Sequence, residues 1–356
     1  MANLTLRDRD AIVSNEGLIF RVFGYTHPPE AFICDLEYAP ESIFRSENPK
    51  ALRGGNEHKF YKFYEDEAWR FLREEYPQHL IFYKMLQRQT VGVARSNIKE
   101  VRKPSEKLKA FFETKLNDGL VAAAQTILKT VTQLSSLNFE DFGVFGSMLH
   151  GIYHPKLSDI DLIVYGRRKA AELVETLQEL YQNRTSPFRN EFRTDEPIRG
   201  KRWRFQNLSP QEYLWHQQRK KIYAVYDDEK TGRTIKTEFE PVKSWVEIEN
   251  EYNPDTRILQ KGWIRMSARI TEDQDAPFIP SIYTIEPVEV FEGPSEALEA
   301  TQIVSYLEEF RMQAKKGETV HVEGNLEQIT SPKDSFLQIT LTYCSRYYEQ
   351  ILKVKN

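Results

Sequence analysis

The chain has 356 residues, with 49 Lys and Arg against 53 Asp and Glu, a formal net charge of −4, 40% hydrophobic and 29% charged residues. This is the composition of a globular protein of two or three domains, and it excludes a chain bathed in a global basic field, so any nucleic-acid site must be a local patch. No run reaches the ~18 apolar residues of a membrane span, and the early Arg7-Asp8-Arg9-Asp10 leaves no apolar leader; a cytoplasmic protein is expected.

Residues 11–38 read as paired strands interrupted by a His27-Pro28-Pro29 turn, with His27 expected at the surface and not as a ligand. Cys34 and Cys344 lie far apart in apolar, strand-like contexts and read as buried, reduced thiols. Residues 45–60, with Gly54-Gly55, read as a flexible loop. Phe60 to Tyr76 is aromatic and charged, helical from about Asp66, and its rings are expected to pack on the N-terminal strands in preference to stacking bases. From Pro104 the periodicity is helical: Leu108, Phe111, Phe112, Leu116, Leu120, Ile127, Leu128 and Val131 form one stripe. Asn117-Asp118-Gly119 splits it into two helices, because Asn and Asp cap well and glycine weakens a helix interior.

The most informative stretch follows. Phe142 to Phe145 reads as a short strand, and Gly146-Ser147 as its exit turn into a helix near Met148. Eleven residues later Asp159-Ile160-Asp161 opens the apolar run Leu162 to Tyr165, a buried strand. Residues two apart share a strand face, so Asp159 and Asp161 project together. Two such carboxylates raise each other's pKa unless a cation lies between them, and hard oxygen ligands suit Mg²⁺. The glycine lets backbone N–H groups approach an anion, and the serine adds a donor.

Gly146-Ser147, the spacer and the Asp159/Asp161 pair resemble the signature of the DNA polymerase beta superfamily of nucleotidyltransferases. With β-rich segments on either side, the chain looks like an archaeal-type family of predicted nucleotidyltransferases. The resemblance implies that Gly146 and Ser147 bind the triphosphate of an NTP and that Asp159 and Asp161 hold Mg²⁺ (or Mn²⁺). It also implies a third carboxylate on a later strand. In the archaeal CCA-adding branch that residue precedes a proline by three positions, which falls here on Glu238, where most members carry aspartate. Arg233 to Pro241 reads as that strand, with Glu238 and Glu240 on one face. Glu238 is favoured as metal ligand, since Pro241 is expected to end regular pairing at Glu240.

Between the acid pair and that strand, Arg167 to Tyr181 reads as a helix. Arg184 to Arg204 holds seven basic residues interleaved with Phe188, Phe192 and Trp203, and Arg199, Lys201 and Arg202 are the candidate nucleic-acid contacts. Ser209-Pro210-Gln211-Glu212 is a helix start with a capping box, and His216 on that helix reads as structural. Beyond Asn253, strands are expected over 262–270, 282–291, 319–329 and 336–343, with a helix over 297–315 and a small OB-like barrel. The expected fold is α+β: a β-rich domain over 1–103, a nucleotidyltransferase domain over 104–252 and a β-rich domain over 253–356. The expected activity is metal-dependent NMP transfer from an NTP to an acceptor hydroxyl, foremost the 3′ end of RNA or DNA. The alternatives are AMP transfer to a protein or small molecule, and a non-catalytic nucleic-acid-binding module on a degenerate transferase fold.

Overall fold

The computed structural model describes residues 4–54, 59–113 and 118–355. Gly55 of the expected loop, and Leu116 and Asn117 of the helical stretch, lie outside the described residues. The chain forms two units, one of residues 1–83, 88–189 and 224–252, the other of residues 84–87, 190–223 and 253–356.

Alternating burial builds the first sheet. In β3 (Ala31–Pro40) Phe32, Cys34, Leu36 and Tyr38 are buried while Ile33, Asp35 and Glu37 are only partly so, the pattern of a strand with one face on a core. β3 pairs with β2 (Ile19–Val22), β2 with β1 (Ala11–Ser14), and β1 with β8 (Ile98–Arg102). On its other side β3 takes β5 (Phe60–Lys62), followed by β4 (Leu52–Arg53), and it also pairs with β7 (Arg88–Ala94), which joins β6 (Leu80–Tyr83). So residues 45–60 contain a short strand. Helix α1 (Glu67–Glu75) buries Leu72, and the Phe63 ring stacks on Phe44 at 4.1 Å and tilts against Phe71 at 5.2 Å. Those aromatics therefore pack the core. His27 is buried, contrary to the surface expectation: its Nδ1 accepts from the Ile33 N–H (3.2 Å), and burial lowers its pKa to about 4.

The second sheet of this unit has the order β11-β12-β13-β10-β9, with β9 (Phe142–Val144), β10 (Ile160–Tyr165), β11 (Phe188–Asn190), β12 (Tyr223–Asp228) and β13 (Arg233–Val242). β10 is antiparallel to β9 and parallel to β13, and Ile160 and Leu162 to Tyr165 are buried. Around it lie α2 (Pro104–Glu113), α3 (Gly119–Gln133), α4 (Gly146–His150) and α5 (Arg167–Gln182). The Asp118 carboxylate caps α3 by accepting from the N–H groups of Leu120 (2.9 Å) and Val121 (3.3 Å).

In the other unit α6 (Pro210–Lys220) begins at a Ser209–Glu212 capping box. His216 is buried, with Nδ1 against the Glu212 carbonyl and Nε2 accepting from the Val354 N–H (3.0 Å), a structural role. Six strands follow: β14 (Arg257–Asp275), β15 (Ser281–Glu292), β16 (Ala300–Ser305), β17 (Thr319–Thr330), β18 (Ser335–Leu341) and β19 (Ile351–Val354). Their order is β14-β15-β16-β18-β17-β19, and β17 also pairs with β14, so five strands close on themselves. The helix expected over 297–315 is absent. Ser295–Glu299 makes only a 3₁₀ turn, and residues 300–305 are a strand paired antiparallel with β15 and parallel with β18. Thr301, Ile303 and Val304 suit a strand, and pairing on both edges overrides the helix propensity of the preceding Ala-Leu-Glu-Ala. Cys34 is buried as expected, whereas Cys344, in the turn after β18, is exposed. Among the described residues no helix is long and apolar enough to cross a membrane.

Candidate active site

The turn between β9 and α4 and the entrance of β10 are locked together. The Phe145 N–H donates to the Asp161 carbonyl at 2.8 Å. Gly146 adopts φ +59°, in the left-handed region, and a Cβ there would collide with Asp161 Oδ2. Only glycine meets both demands. The Gly146-Ser147 turn therefore lies directly against the second acid of the pair. Asp159 is exposed just ahead of β10, and Asp161 is half-buried on it.

Acids converge on Asp161 from three segments. Burial pushes its carboxyl up to about 7, with the charge of Glu240 next in weight; Asp159 and Glu37 add to the rise and Lys62 opposes it. Along β13 the face carrying the acids sinks progressively: Lys236 is exposed, Glu238 half-buried and Glu240 buried. Asp161 pairs in register with Glu238, and Ile163 with Glu240. Pairing does not stop at Glu240 as expected, because it runs through Pro241 to Val242. Pro241 is compatible with this because its missing N–H removes one bond only, not the strand.

No motif near these acids announces what surrounds them. Arg9, 0% exposed and at φ +70°, donates from Nε to Glu240 Oε2, lies 3.9 Å from Asp8, and places its guanidinium 5.4 Å from the Phe145 ring centre. Glu37 on β3 is also pushed up, by burial first and against the pull of Arg21, Lys62 and Arg9. The first sheet and the turn ahead of β1 thus supply Glu37, Lys62 and Arg9 to this group of acids. An alternating Arg7-Asp8-Arg9-Asp10 is the only local hint, and it reads as surface charge until the fold buries it.

The donor set fits a hard divalent cation. It consists of carboxylates, and burial together with the neighbouring acids holds Asp161 partly protonated near neutrality, a condition that a cation relieves. Among the described residues no three His, Cys, Asp or Glu side chains already stand as a metal-holding group.

Of the basic segment, residues 190–204, with Arg199, Lys201 and Arg202, belong to the other unit. Arg199 is exposed and paired with Asp195, and Arg204 donates to the Tyr348 hydroxyl at 2.6 Å. Lys201 and Arg202 line a cavity.

A glycine turn pressed onto an acid-bearing strand is an arrangement that can hold a phosphate beside a cation. Residues 125–244 match the family described as nucleotidyltransferase domain. This part of the chain is a nucleotidyltransferase domain of the polymerase beta type, and the protein is a transferase that uses an NTP and transfers NMP. An uncharacterized protein of Methanocaldococcus jannaschii is 24% identical over 360 residues, covering 99% of this chain and 100% of the relative. No solved structure matches the chain.

Proposed function

We propose that the protein transfers NMP in a divalent-metal-dependent reaction to the 3′ hydroxyl of RNA or DNA. The observation that carries the proposal is the close approach of the Gly146 turn to Asp161, which puts a turn of the kind that can take a phosphate beside a carboxylate cluster. Asp159 and Asp161 would hold Mg²⁺ (or Mn²⁺), with the third carboxylate from β13. Register favours Glu238, whereas Glu240 acts more strongly on Asp161 and so is the better candidate. The cation, when bound, supplies charge neutralisation at the triphosphate and a lowered pKa at the attacking hydroxyl. Gly146 and Ser147 bring backbone N–H groups and a hydroxyl to the triphosphate. Arg9 orients Glu240 and offsets the negative charge gathered around Asp161.

Two features support a nucleic-acid acceptor. Lys201 and Arg202 sit among aromatic rings, which suits backbone phosphates and bases. The closed strand order β14-β15-β16-β18-β17, with β16 and β18 parallel, supports an OB-like reading of the barrel, an architecture used for oligonucleotides. The test is purified protein with each labelled NTP, Mg²⁺ or Mn²⁺, and pools of RNA, DNA, protein and small-molecule acceptors. Extension of nucleic-acid ends supports the proposal; label appearing only on protein or small molecules would replace it with the alternative transfer.

A further inference from the structure

A cavity of about 250 Å³ lies within the unit of residues 84–87, 190–223 and 253–356. It falls below the ~300–1,000 Å³ usual for small-molecule pockets, so it suits one planar ring better than an extended ligand. Phe192, Trp203, Phe205, Tyr213 and Tyr348 wall it. These rings are held in place: Trp203 Nε1 donates to the Leu208 carbonyl at 2.7 Å, and Tyr213 meets Trp203 edge-on at 5.3 Å and Phe192 at 6.1 Å. Faces of this kind stack any base.

Two wall positions carry carboxylates, Glu191 and Glu309, and Glu309 is the one anchored among the rings. Its backbone carbonyl accepts from Gln217 Nε2 (3.1 Å) and from Lys220 Nζ (2.7 Å), and Phe310 beside it is fully buried, so the residue is anchored. Its Oε1 accepts from the Tyr347 hydroxyl at 2.7 Å. Lys201 and Arg202, both exposed, line the same cavity and make no ion pair among the described residues. Their basic neighbours are engaged, Arg199 by Asp195 and Arg204 by Tyr348.

Ring faces, an anchored carboxylate acceptor and two exposed cations make up the recognition set of a nucleotide. We propose that this cavity binds a guanine nucleotide, with Glu309 accepting from its base and Lys201 and Arg202 meeting its phosphate. Guanine presents N1–H and the exocyclic amino group side by side. Adenine and cytosine set an acceptor nitrogen next to their amino group, and uracil flanks N3–H with two carbonyls. Those acceptors would face the Glu309 carboxylate with like charge. This deepens the nucleic-acid reading above by naming one base that the protein would hold.

The test is titration of the full chain with GMP, AMP, CMP and UMP by calorimetry, and with single-stranded oligonucleotides containing or lacking one guanosine. GMP is expected to bind more tightly than the other three, and Glu309→Gln to lower its affinity at least about tenfold, the size of a lost charge-assisted hydrogen bond. That variant keeps the acceptor for Tyr347 and should fold. Lys201→Glu with Arg202→Glu should weaken all four nucleotides alike. Guanosine preference seen only in the oligonucleotides identifies a polymer as the source; preference for GMP itself identifies the free nucleotide. Equal binding of all bases in both formats, or an unchanged preference in Glu309→Gln, overturns the proposal. Asp161→Asn, whose change lies in the other unit, should bind GMP like the parent, so loss of transfer and loss of this pocket are read separately.

Discussion

Replacing Asp161 by Asn should make the metal-free protein more stable at alkaline pH. The Asp161 carboxyl ionises near 7 in the fold against a usual 3.8. A raised carboxylate pKa means that the folded state binds the extra proton, so stability is greatest below 3.8 and falls as pH rises through about 7. At about 1.36 kcal/mol per pH unit the full loss is about 4 kcal/mol, of which about 3 kcal/mol falls between about pH 5 and pH 8. Hydrogen exchange of the β10 amides in urea with EDTA reads the stability of this unit alone. The difference between Asp161→Asn and the parent should grow by about 3 kcal/mol over that range. Asp10, pushed up to about 6 by burial, titrates in both proteins and cancels. Saturating Mg²⁺ at pH 8 should restore the parent by roughly 2.7 kcal/mol at a hundredfold excess over Kd, and leave the variant unmoved. A difference that stays flat with pH would show that burial and the neighbouring acids do not hold the Asp161 carboxyl up in the fold.

Glu240→Gln should lose most transfer and, by breaking the buried Arg9–Glu240 pair while Asp8 stays beside Arg9, up to about 3 kcal/mol of stability, whereas Glu238→Gln should keep both. Transfer assays well below the melting temperature check this, and the reverse pattern would make the in-register acid the third ligand. Gly146→Ala should abolish transfer and cost at least about 1 kcal/mol, since it strains a left-handed residue and displaces Asp161; an active Ala variant would break the link between turn and acid. Charge reversal at Lys201 and Arg202 should flatten the salt dependence of RNA binding, lowering the log–log slope by about one for each phosphate left unneutralised. Reversal at Arg199, already paired with Asp195, should leave the slope alone, and equal slopes for all three would remove this segment from the acceptor site.

What could be read from the sequence was what local chemistry dictates. The β10 strand, the Gly146-Ser147 turn, the Asp118 cap and the Ser209 capping box each depend on residues within a few positions of one another. The pairing of 300–305 was hidden because its partners, β15 and β18, decide it. Arg9 was hidden for the same reason on a larger scale: its carboxylate partner Glu240 lies 231 positions away. Glu37 and Lys62 belong to a sheet whose own pattern speaks only of packing. His27 looked like a surface turn residue because nothing near it in sequence shows that Asn250 receives its backbone N–H at 3.0 Å.

The most direct measurement compares the parent with Asp159→Ala and Asp161→Ala in Mg²⁺, following α-labelled NTP onto the 3′ end of RNA or DNA while calorimetry records Mn²⁺ binding. The parent should extend ends and bind Mn²⁺, and both variants should lose transfer and cation together while remaining folded. Transfer at the parent rate in either variant would contradict the assignment of the acid pair, and a parent that carries label to no nucleic-acid end would contradict the acceptor.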